Sequence, residues 1–326
     1  MLSNCFIRNA LIEAHGSSGW EVVEQLRHLA EQRFGGWAPV WRVIIAETLR
    51  SRPIGLPAGW HFEPVGEPLS RLYPRRATLG LPEHYLSLPQ EVWVDTFDGA
   101  QKLPAAAAIC YALHAVQLNA ARQAALDYLR SAECLSDTRE FTKSKCVQMD
   151  LHSPTVVLLC ASAGGSTGHA GILNALDHWL AHDHRPRIMI VIIGPECGVS
   201  EDDHRTERAN ALRLLASIQL RAVRGEQVWP FILDGTPRER KRVLEESARF
   251  MWSLLAESGD ANLVRQLVNG FGIATRVEGG RLPRIWCEID AYREAIDARH
   301  LLQLEAHRAL EEALLREVLP GNDARI

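Results

Sequence analysis

The stretch Val156 to Ala170, V-V-L-L-C-A-S-A-G-G-S-T-G-H-A, constrains this chain more than any other. It opens on a continuous apolar run, Val156 to Ala161, of the kind expected for a strand covered on both faces of a parallel sheet. It then turns through Gly164, Gly165, Ser166, Thr167 and Gly168. A helical pattern follows, with Ile172, Leu173, Leu176, Trp179 and Leu180 on one face. Strand, glycine-rich turn and helix, in that order, are the parts of a phosphate site. Glycines let the backbone approach an anion closely, and a helix N-terminus presents unpaired N–H groups and positive partial charge. The Ser166 and Thr167 hydroxyls add donors. The same pattern also suits a tight βα turn that holds nothing.

The rest of the chain repeats the alternation. Asn9 to Ala14 reads as a strand, and His15-Gly16-Ser17-Ser18-Gly19 as a turn. Trp20 to Phe34 reads as a helix that offers Val22, Val23, Leu26, Leu29, Ala30 and Phe34 to a core. Gly35-Gly36 stops it. Trp41 to Ala46 is a second strand that ends at Glu47-Thr48. The first 50 residues thus form a βαβ unit whose glycine turn follows its first strand, as nucleotide-binding turns do. Residues 51–90 are rich in Pro, Gly and Arg and predict an irregular excursion with room for a short helix. Val92 to Val94 predicts a short strand or an extended piece, and Asp95 to Leu103 a polar loop. Pro104 opens a single long helix over Ala105 to Arg130. Residues 131–153 are polar and suggest no element.

Beyond the central stretch, Ile188 to Ile193 is a strand and Gly194 to Asp203 an acidic loop. A helix over His204 to Gln219 has Ala209, Leu212, Leu215, Ala216 and Ile218 as its apolar positions. Val228 to Leu233 is a strand closed by Asp234-Gly235-Thr236. Pro237 opens a long helix to Glu257. Leu263 to Val268 reads as a short helix, Phe271 to Val277 as a strand, and Asp290 to Val318 as a terminal helix. The expected fold class is α/β, with a doubly wound, mostly parallel sheet. In such sheets the loops at the strand carboxyl ends converge on one crevice.

Composition narrows the function classes. The 326 residues, 47% hydrophobic and 23% charged, are those of a globular protein with a large core. A net charge of −4 argues against a dedicated nucleic-acid binder. The Arg71 to Arg76 and Arg238 to Arg242 clusters read as solvated faces. Seven scattered cysteines without a C-x-x-C pair suit reduced thiols in the cytoplasm rather than disulfides or zinc. His178, His182 and His184 read as a solvated helix end, so no metal site is expected. No apolar run approaches the roughly 20 residues of a membrane span, and the N-terminus lacks a signal-peptide layout.

The order and spacing of the loops resemble the GTPase domain of the tubulin/FtsZ superfamily, with bacterial tubulin-like proteins as the nearest group. Gly164-Gly165-Ser166-Thr167-Gly168 resembles the G-G-x-T-G signature that grips the nucleotide phosphates there. Asp98-Gly99-Ala100-Gln101 resembles the loop that closes over the γ-phosphate. Gly194 to Asp203, with Glu201, and Asp234-Gly235-Thr236 stand where the family meets the ribose and base. The helix Pro237 to Glu257 resembles its central helix, and Asp260-Ala261-Asn262-Leu263 the loop that a neighbouring subunit inserts to promote hydrolysis. The resemblance implies three parts: a nucleotide-binding domain (1–236), a connecting helix (237–257) and a reduced C-terminal subdomain (258–326). It implies GTP or GDP held by Gly16, Ser17, Ser18, Gly19, Gly99, Ala100, Gln101 and Gly164 to Gly168. Glu201, Asp234 and Thr236 would lie at the base and ribose. Mg²⁺ would be held largely by phosphates and water. Asp260 would act in trans, so self-association, or binding of another protein, becomes part of the function.

Two departures from that pattern open a second reading. The family's first loop is usually G-x-G-G-x-G; here it is Ala14-His15-Gly16-Ser17-Ser18-Gly19, followed by the bulky Trp20. The hydrolysis loop carries Leu263 where a second acid is expected. The alternative is a pseudo-GTPase of the same fold, acting as an interaction module. Two other classes fit less well. A serine hydrolase would need G-x-S-x-G around Ser162 or Ser166. A dinucleotide oxidoreductase would need G-x-G-x-x-G in the first turn, although Glu47 does end the second strand.

Overall fold

The computed structural model describes residues 5–48, 55–97, 99–149, 155–182, 186–197, 204–223, 228–235, 237–258 and 287–288. The chain begins with β1 (Cys5–Ile7), β2 (Ala10–His15), α1 (Gly16–Phe34), β3 (Trp41–Glu47) and β4 (Trp60–Pro64). Short helices α2 (Leu69–Leu72) and α3 (Glu83–Leu86) lead to α4 (Pro104–Leu113), α5 (Ala115–Leu129) and α6 (Ala132–Lys145). Then come β5 (Gln148–Met149), β6 (Val156–Ser162), α7 (Ser166–Ala181), β7 (Arg187–Ile193), α8 (His204–Val223) and β8 (Val228–Leu233). The described chain closes with α9 (Arg240–Leu255), β9 (Ala256–Ser258) and β10 (Cys287–Glu288).

The main sheet has seven strands in the order β10-β8-β7-β6-β2-β3-β4, every neighbouring pair parallel. Strand alternation splits its two faces. Val156, Leu158 and Cys160 of β6 join Ile12 and Ala14 of β2 in a core with α1 and α9. Val157, Leu159 and Ala161 face the other way, with α4, α5, α7 and α8. Helices on both faces explain why β6 and β7 are apolar at successive positions. The doubly wound α/β expectation therefore stands.

Several local expectations change. The Pro- and Gly-rich excursion contains β4, whose Trp60 and Phe62 are buried while His61 is exposed. Pro64 is tolerated because β4 is an edge strand. Of Val92 to Val94, Val92 closes a 3₁₀ turn that starts at Gln90, and Trp93 and Val94 lie outside any strand. The long helix bends at His114 (φ −97, ψ 10), whose ring lies 2.9 Å from both Glu63 Oε1 and Glu67 Oε1. Residues 132–145 form a helix capped by Ser131, whose Oγ accepts from Cys134 N at 3.0 Å. The buried stripe of α8 is Asn210, Ala211, Leu214 and Ile218, rotated from the expected face so that Asn210 enters the interior. After a 3₁₀ turn over Pro237–Glu239, α9 ends at Leu255 and runs into β9. There β9 pairs antiparallel with β1, which pairs parallel with β5, in a small second sheet. The expected elements over residues 263–277 and 290–318 lie outside the described residues, as does nearly all of the proposed 258–326 subdomain.

Candidate functional site

From β2 the chain adds β3 and β4 on one side, then returns to place β6, β7 and β8 on the other. Strand order thus reverses between β2 and β6, which pair in register through His15↔Ala161. A crevice opens outside the carboxyl ends at such a point, and both glycine turns lie there. Gly16 has φ +75, a left-handed conformation that favours glycine. A Cβ on it would lie 3.4 Å from Gly168 N and 3.5 Å from Thr167 Cβ, so the two turns touch.

The predicted glycines divide by role. A Cβ at Gly19 would lie 2.4 Å from Cys160 O, and one at Gly168 2.6 Å from Ser162 O. These two let α1 and α7 seat directly on β6. A Cβ at Gly164 would lie 2.8 Å from Glu207 Cβ, whereas one at Gly165 would meet nothing nearer than 3.9 Å. Gly165 precedes α7 and supplies no side-chain cap. Ser166 Oγ, buried at the start of α7, has no hydrogen-bond partner. Ser17 is exposed, and Ser18 Oγ accepts from Arg240 Nη2 at 3.2 Å. Trp20 packs on Phe62, ring centroids 5.7 Å apart.

The end of β3 supplies a carboxylate. Glu47 Oε1 accepts from Thr48 N at 2.7 Å and Thr48 Oγ1 at 3.0 Å, while Oε2 is buried without a partner. Burial raises its pKa, opposed by the two bonds from Thr48. Thr48 Oγ1 also lies 3.4 Å from Thr167 Oγ1, linking this carboxylate to the central turn.

The loop before α4 is strained. Gly99 has φ +103, and the non-glycine residues Gln101 and Lys102 have φ 47 and 59. Left-handed backbone costs about 1–2 kcal/mol per non-glycine residue. Surrounding bonds hold it. Leu103 N donates to Ala100 O at 2.8 Å, and Lys102 Nζ lies 3.1 Å from Glu207 Oε1. The buried Asn210 Nδ2 donates to Lys102 O at 3.1 Å and to Gly164 O at 3.3 Å. One amide therefore ties the predicted Gly99-Ala100-Gln101 loop to the central turn.

At the ends of β7 and β8, Gly194 N donates to Leu233 O at 2.8 Å. A Cβ at Gly194 would collide with the Asp234 carboxylate, 2.0 Å from its Cγ. Asp234 Oδ1 accepts from Gly235 N at 2.8 Å. Cys197 Sγ lies 3.4 Å from Gly235 O, and burial together with Asp234 pushes its thiol up to about 12. Glu201, Thr236 and Asp260 lie outside the described residues, as do Asp98 and Leu263.

No family model and no curated protein matches this sequence. Among solved structures the chain is similar to TubZ of Clostridium botulinum phage c-st with its C-terminal tail truncated (12% identity, 74% of this chain and 59% of that one, TM-score 0.43). It is similar to a further crystal structure of TubZ from that phage (12% identity, 83% and 61% coverage, TM-score 0.40). It is also similar to the PhuZ201 filament (10% identity, 98% and 95% coverage, TM-score 0.40). The chain spans 59% and 61% of the two TubZ chains' own lengths.

Beneath the first turn lies a buried polar group that the sequence did not announce as a unit. Glu13, fully buried on β2, binds Arg122 of α5 at 2.8 Å and Trp179 Nε1 of α7 at 2.5 Å. Arg122 Nη1 also donates to Asn119 Oδ1 and Asn174 Oδ1, at 3.0 and 3.2 Å. His15, the last residue before Gly16, stacks edge-on to Tyr111 and bonds its hydroxyl at 3.1 Å. Burial lowers the His15 pKa, so a neutral imidazole is favoured there. The available signal was Glu13 and His15 inside an apolar strand, and Arg122 inside an alanine-rich helix. Among the described residues, no group of three or more His, Cys, Asp or Glu is placed to hold a metal ion unaided. No described helix is long and apolar enough to cross a membrane.

Proposed function

We propose that the protein binds a nucleotide across the two turns at the strand-order reversal, with GTP or GDP as the ligand. The observation that carries this is the contact of left-handed Gly16 with Thr167 and Gly168, beside an uncapped helix start whose buried Ser166 Oγ lacks a partner. Those groups suit an anion: backbone N–H groups, hydroxyl donors and the positive end of α7. The backbone of Gly16 to Gly19 and Gly164 to Gly168 would receive the inner phosphates. Gly99, Ala100 and Gln101 would face the terminal one. Asp234, with Thr236 and Glu201, would face ribose or base.

A divalent cation accompanying the phosphates fits the donors present. The orphaned Glu47 Oε2 and the Thr48 and Thr167 hydroxyls are hard oxygen ligands of the type Mg²⁺ takes alongside phosphate and water. When bound, the ion would neutralise phosphate charge; Glu47 would orient it, and the Thr48 hydroxyl, itself in contact with Thr167, would fix Glu47. The choice of guanine rests on the loop order that resembles the tubulin/FtsZ domain, and so does self-association with slow hydrolysis completed by Asp260 of a neighbour. A pseudo-GTPase is the second reading, favoured by Ser18, which is already engaged by Arg240 in the first turn.

Isothermal titration and melting with GTP, GDP and ATP, each with Mg²⁺, test the proposal. At a hundredfold excess over Kd, a bound nucleotide adds about 2.7 kcal/mol, a rise of several degrees in Tm. Gly165→Trp, at a position where a Cβ meets nothing nearer than 3.9 Å, abolishes that rise. Unmoved melting curves with all three nucleotides refute binding. If GTP produces no pelletable assembly and Asp260→Ala leaves turnover unchanged, catalysis by a neighbouring subunit is refuted.

A further inference from the structure

We infer that Lys102 and Glu207 form a charge latch through which the site distinguishes a nucleoside triphosphate from a diphosphate. The latch rests on the nucleotide reading above and adds a residue pair to which neither the sequence pattern nor that reading gives a role.

Three observations converge on it. Lys102 holds a left-handed backbone next to a left-handed Gln101, a conformation that persists only where neighbours over-determine it. Its carbonyl shares the Asn210 Nδ2 donor with Gly164 O, so the residue is fixed beside the central turn. Its ammonium pairs with Glu207 at 3.1 Å, the two side chains 33% and 12% exposed. Glu207 itself is only half satisfied, because its Oε2 is buried with no hydrogen-bond partner.

A lysine ammonium is a compact charge on a flexible four-carbon stem. It can leave one anion for another without moving its backbone. The site therefore sets the Glu207 carboxylate against any negative charge arriving where the loop meets the central turn. A diphosphate occupies the glycine turns and leaves the ion pair standing. A third phosphate brings charge to the loop and draws the ammonium from Glu207 into a charge-assisted contact. The strained backbone holds the stem beside the central turn, and Glu207 sets the threshold that the third phosphate must exceed.

Titration of the full chain with GDP and with a triphosphate analogue carrying a non-hydrolysable β,γ bridge tests this. Wild type is expected to bind the triphosphate more tightly. Lys102→Met reduces that triphosphate-to-diphosphate ratio about tenfold and leaves GDP affinity within about twofold, and Lys102→Arg restores the ratio. Lys102→Gly removes the same charge at a position whose φ suits glycine, so it shows the same loss with no fall in Tm. Glu207→Gln removes the competitor and tightens the triphosphate several-fold without tightening GDP. If wild type and Lys102→Met bind both nucleotides with the same ratio, the latch is overturned while the nucleotide reading stands. If wild type binds neither, the nucleotide reading falls and the latch with it.

Discussion

Arg122 donates three hydrogen bonds to Glu13, at 2.8, 3.1 and 3.2 Å, with 1% and 0% of the two side chains exposed. The pair joins α5 to the middle of β2, three residues before Gly16, and so lies under the first turn. Burial acts to raise the Glu13 pKa, but the Arg122 charge and the bonds from His15 and Arg122 prevail and hold it well below the ordinary carboxylate range.

Arg122→Met should therefore cost about 3–5 kcal/mol at neutral pH, because it strands a buried carboxylate. The sign with pH follows. In the wild type a depressed carboxyl adds stability above its unfolded value, near 4.3, and loses it as pH falls towards the folded value. In the variant the Arg122 charge and bonds are gone and burial is opposed mainly by the bonds from His15 and Trp179, so Glu13 takes up a proton more readily. The stability gap between variant and wild type should shrink from pH 7 to pH 4. Denaturant unfolding at both values measures it. A gap that is constant with pH would show that Arg122 acts through packing alone.

Asn210 links two loops with one amide, and its own carbonyl lies 3.0 Å from His169 Nδ1. Asn210→Ala removes the donor and leaves the Lys102 and Gly164 carbonyls without it. A destabilisation of about 2–3 kcal/mol is expected from two lost bonds. The larger effect should be local, with proteolysis or hydrogen exchange rising first around Gly99 to Leu103. If exchange rises uniformly over the sheet instead, the amide is not what secures this loop.

The fold was legible where one periodicity dominated. Val156 to Ala161 and Ile188 to Ile193 are apolar at successive positions because helices cover both faces, and both strands appear as expected. β4 was hidden because it is an edge strand: W-H-F-E-P alternates over only five residues and ends in proline. The bend at His114 was hidden because it depends on Glu63 and Glu67, some fifty residues away. The glycine turns were legible as a pair, but their division of labour was not. Only the structure separates Gly19 and Gly168, pressed against β6, from Gly165, where a Cβ meets only an ordinary contact at 3.9 Å. Asn210 escaped because the α8 pattern favoured a face through Leu212 and Leu215, while the buried stripe runs through Ala211 and Leu214.

Glu47 offers a test of the cation. Its carboxyl is raised by burial, so the folded state keeps a proton that the unfolded state releases. Stability from this group is present below the unfolded value, near 4.3, and lost as pH rises through the folded one. Glu47→Gln should therefore be at least as stable as wild type at pH 7 without ligand, with its advantage growing from pH 4 to pH 7. Its Mg²⁺-dependent nucleotide affinity should fall about tenfold, the cost of one charged ligand. A variant that binds the Mg²⁺ nucleotide as well as wild type would remove Glu47 from the cation site.

The glycines permit a separation of folding from binding. Gly19→Ala places a Cβ 2.4 Å from Cys160 O, and Gly168→Ala one 2.6 Å from Ser162 O. Both obstacles are strand backbone, so α1 or α7 must lift from β6, and a loss of about 2–4 kcal/mol is expected from the strain and the opened core. Gly165→Ala meets nothing nearer than 3.9 Å, and its φ of −77 suits any residue. Its Tm should stay within a degree or two of wild type. A methyl there still narrows the approach to the start of α7, so nucleotide affinity should fall while stability holds. Paired melting and titration of the three variants decide the matter. If Gly165→Ala loses neither stability nor affinity, the anion does not approach α7 through Gly165, and the site must be rebuilt around Gly16 and Ser166.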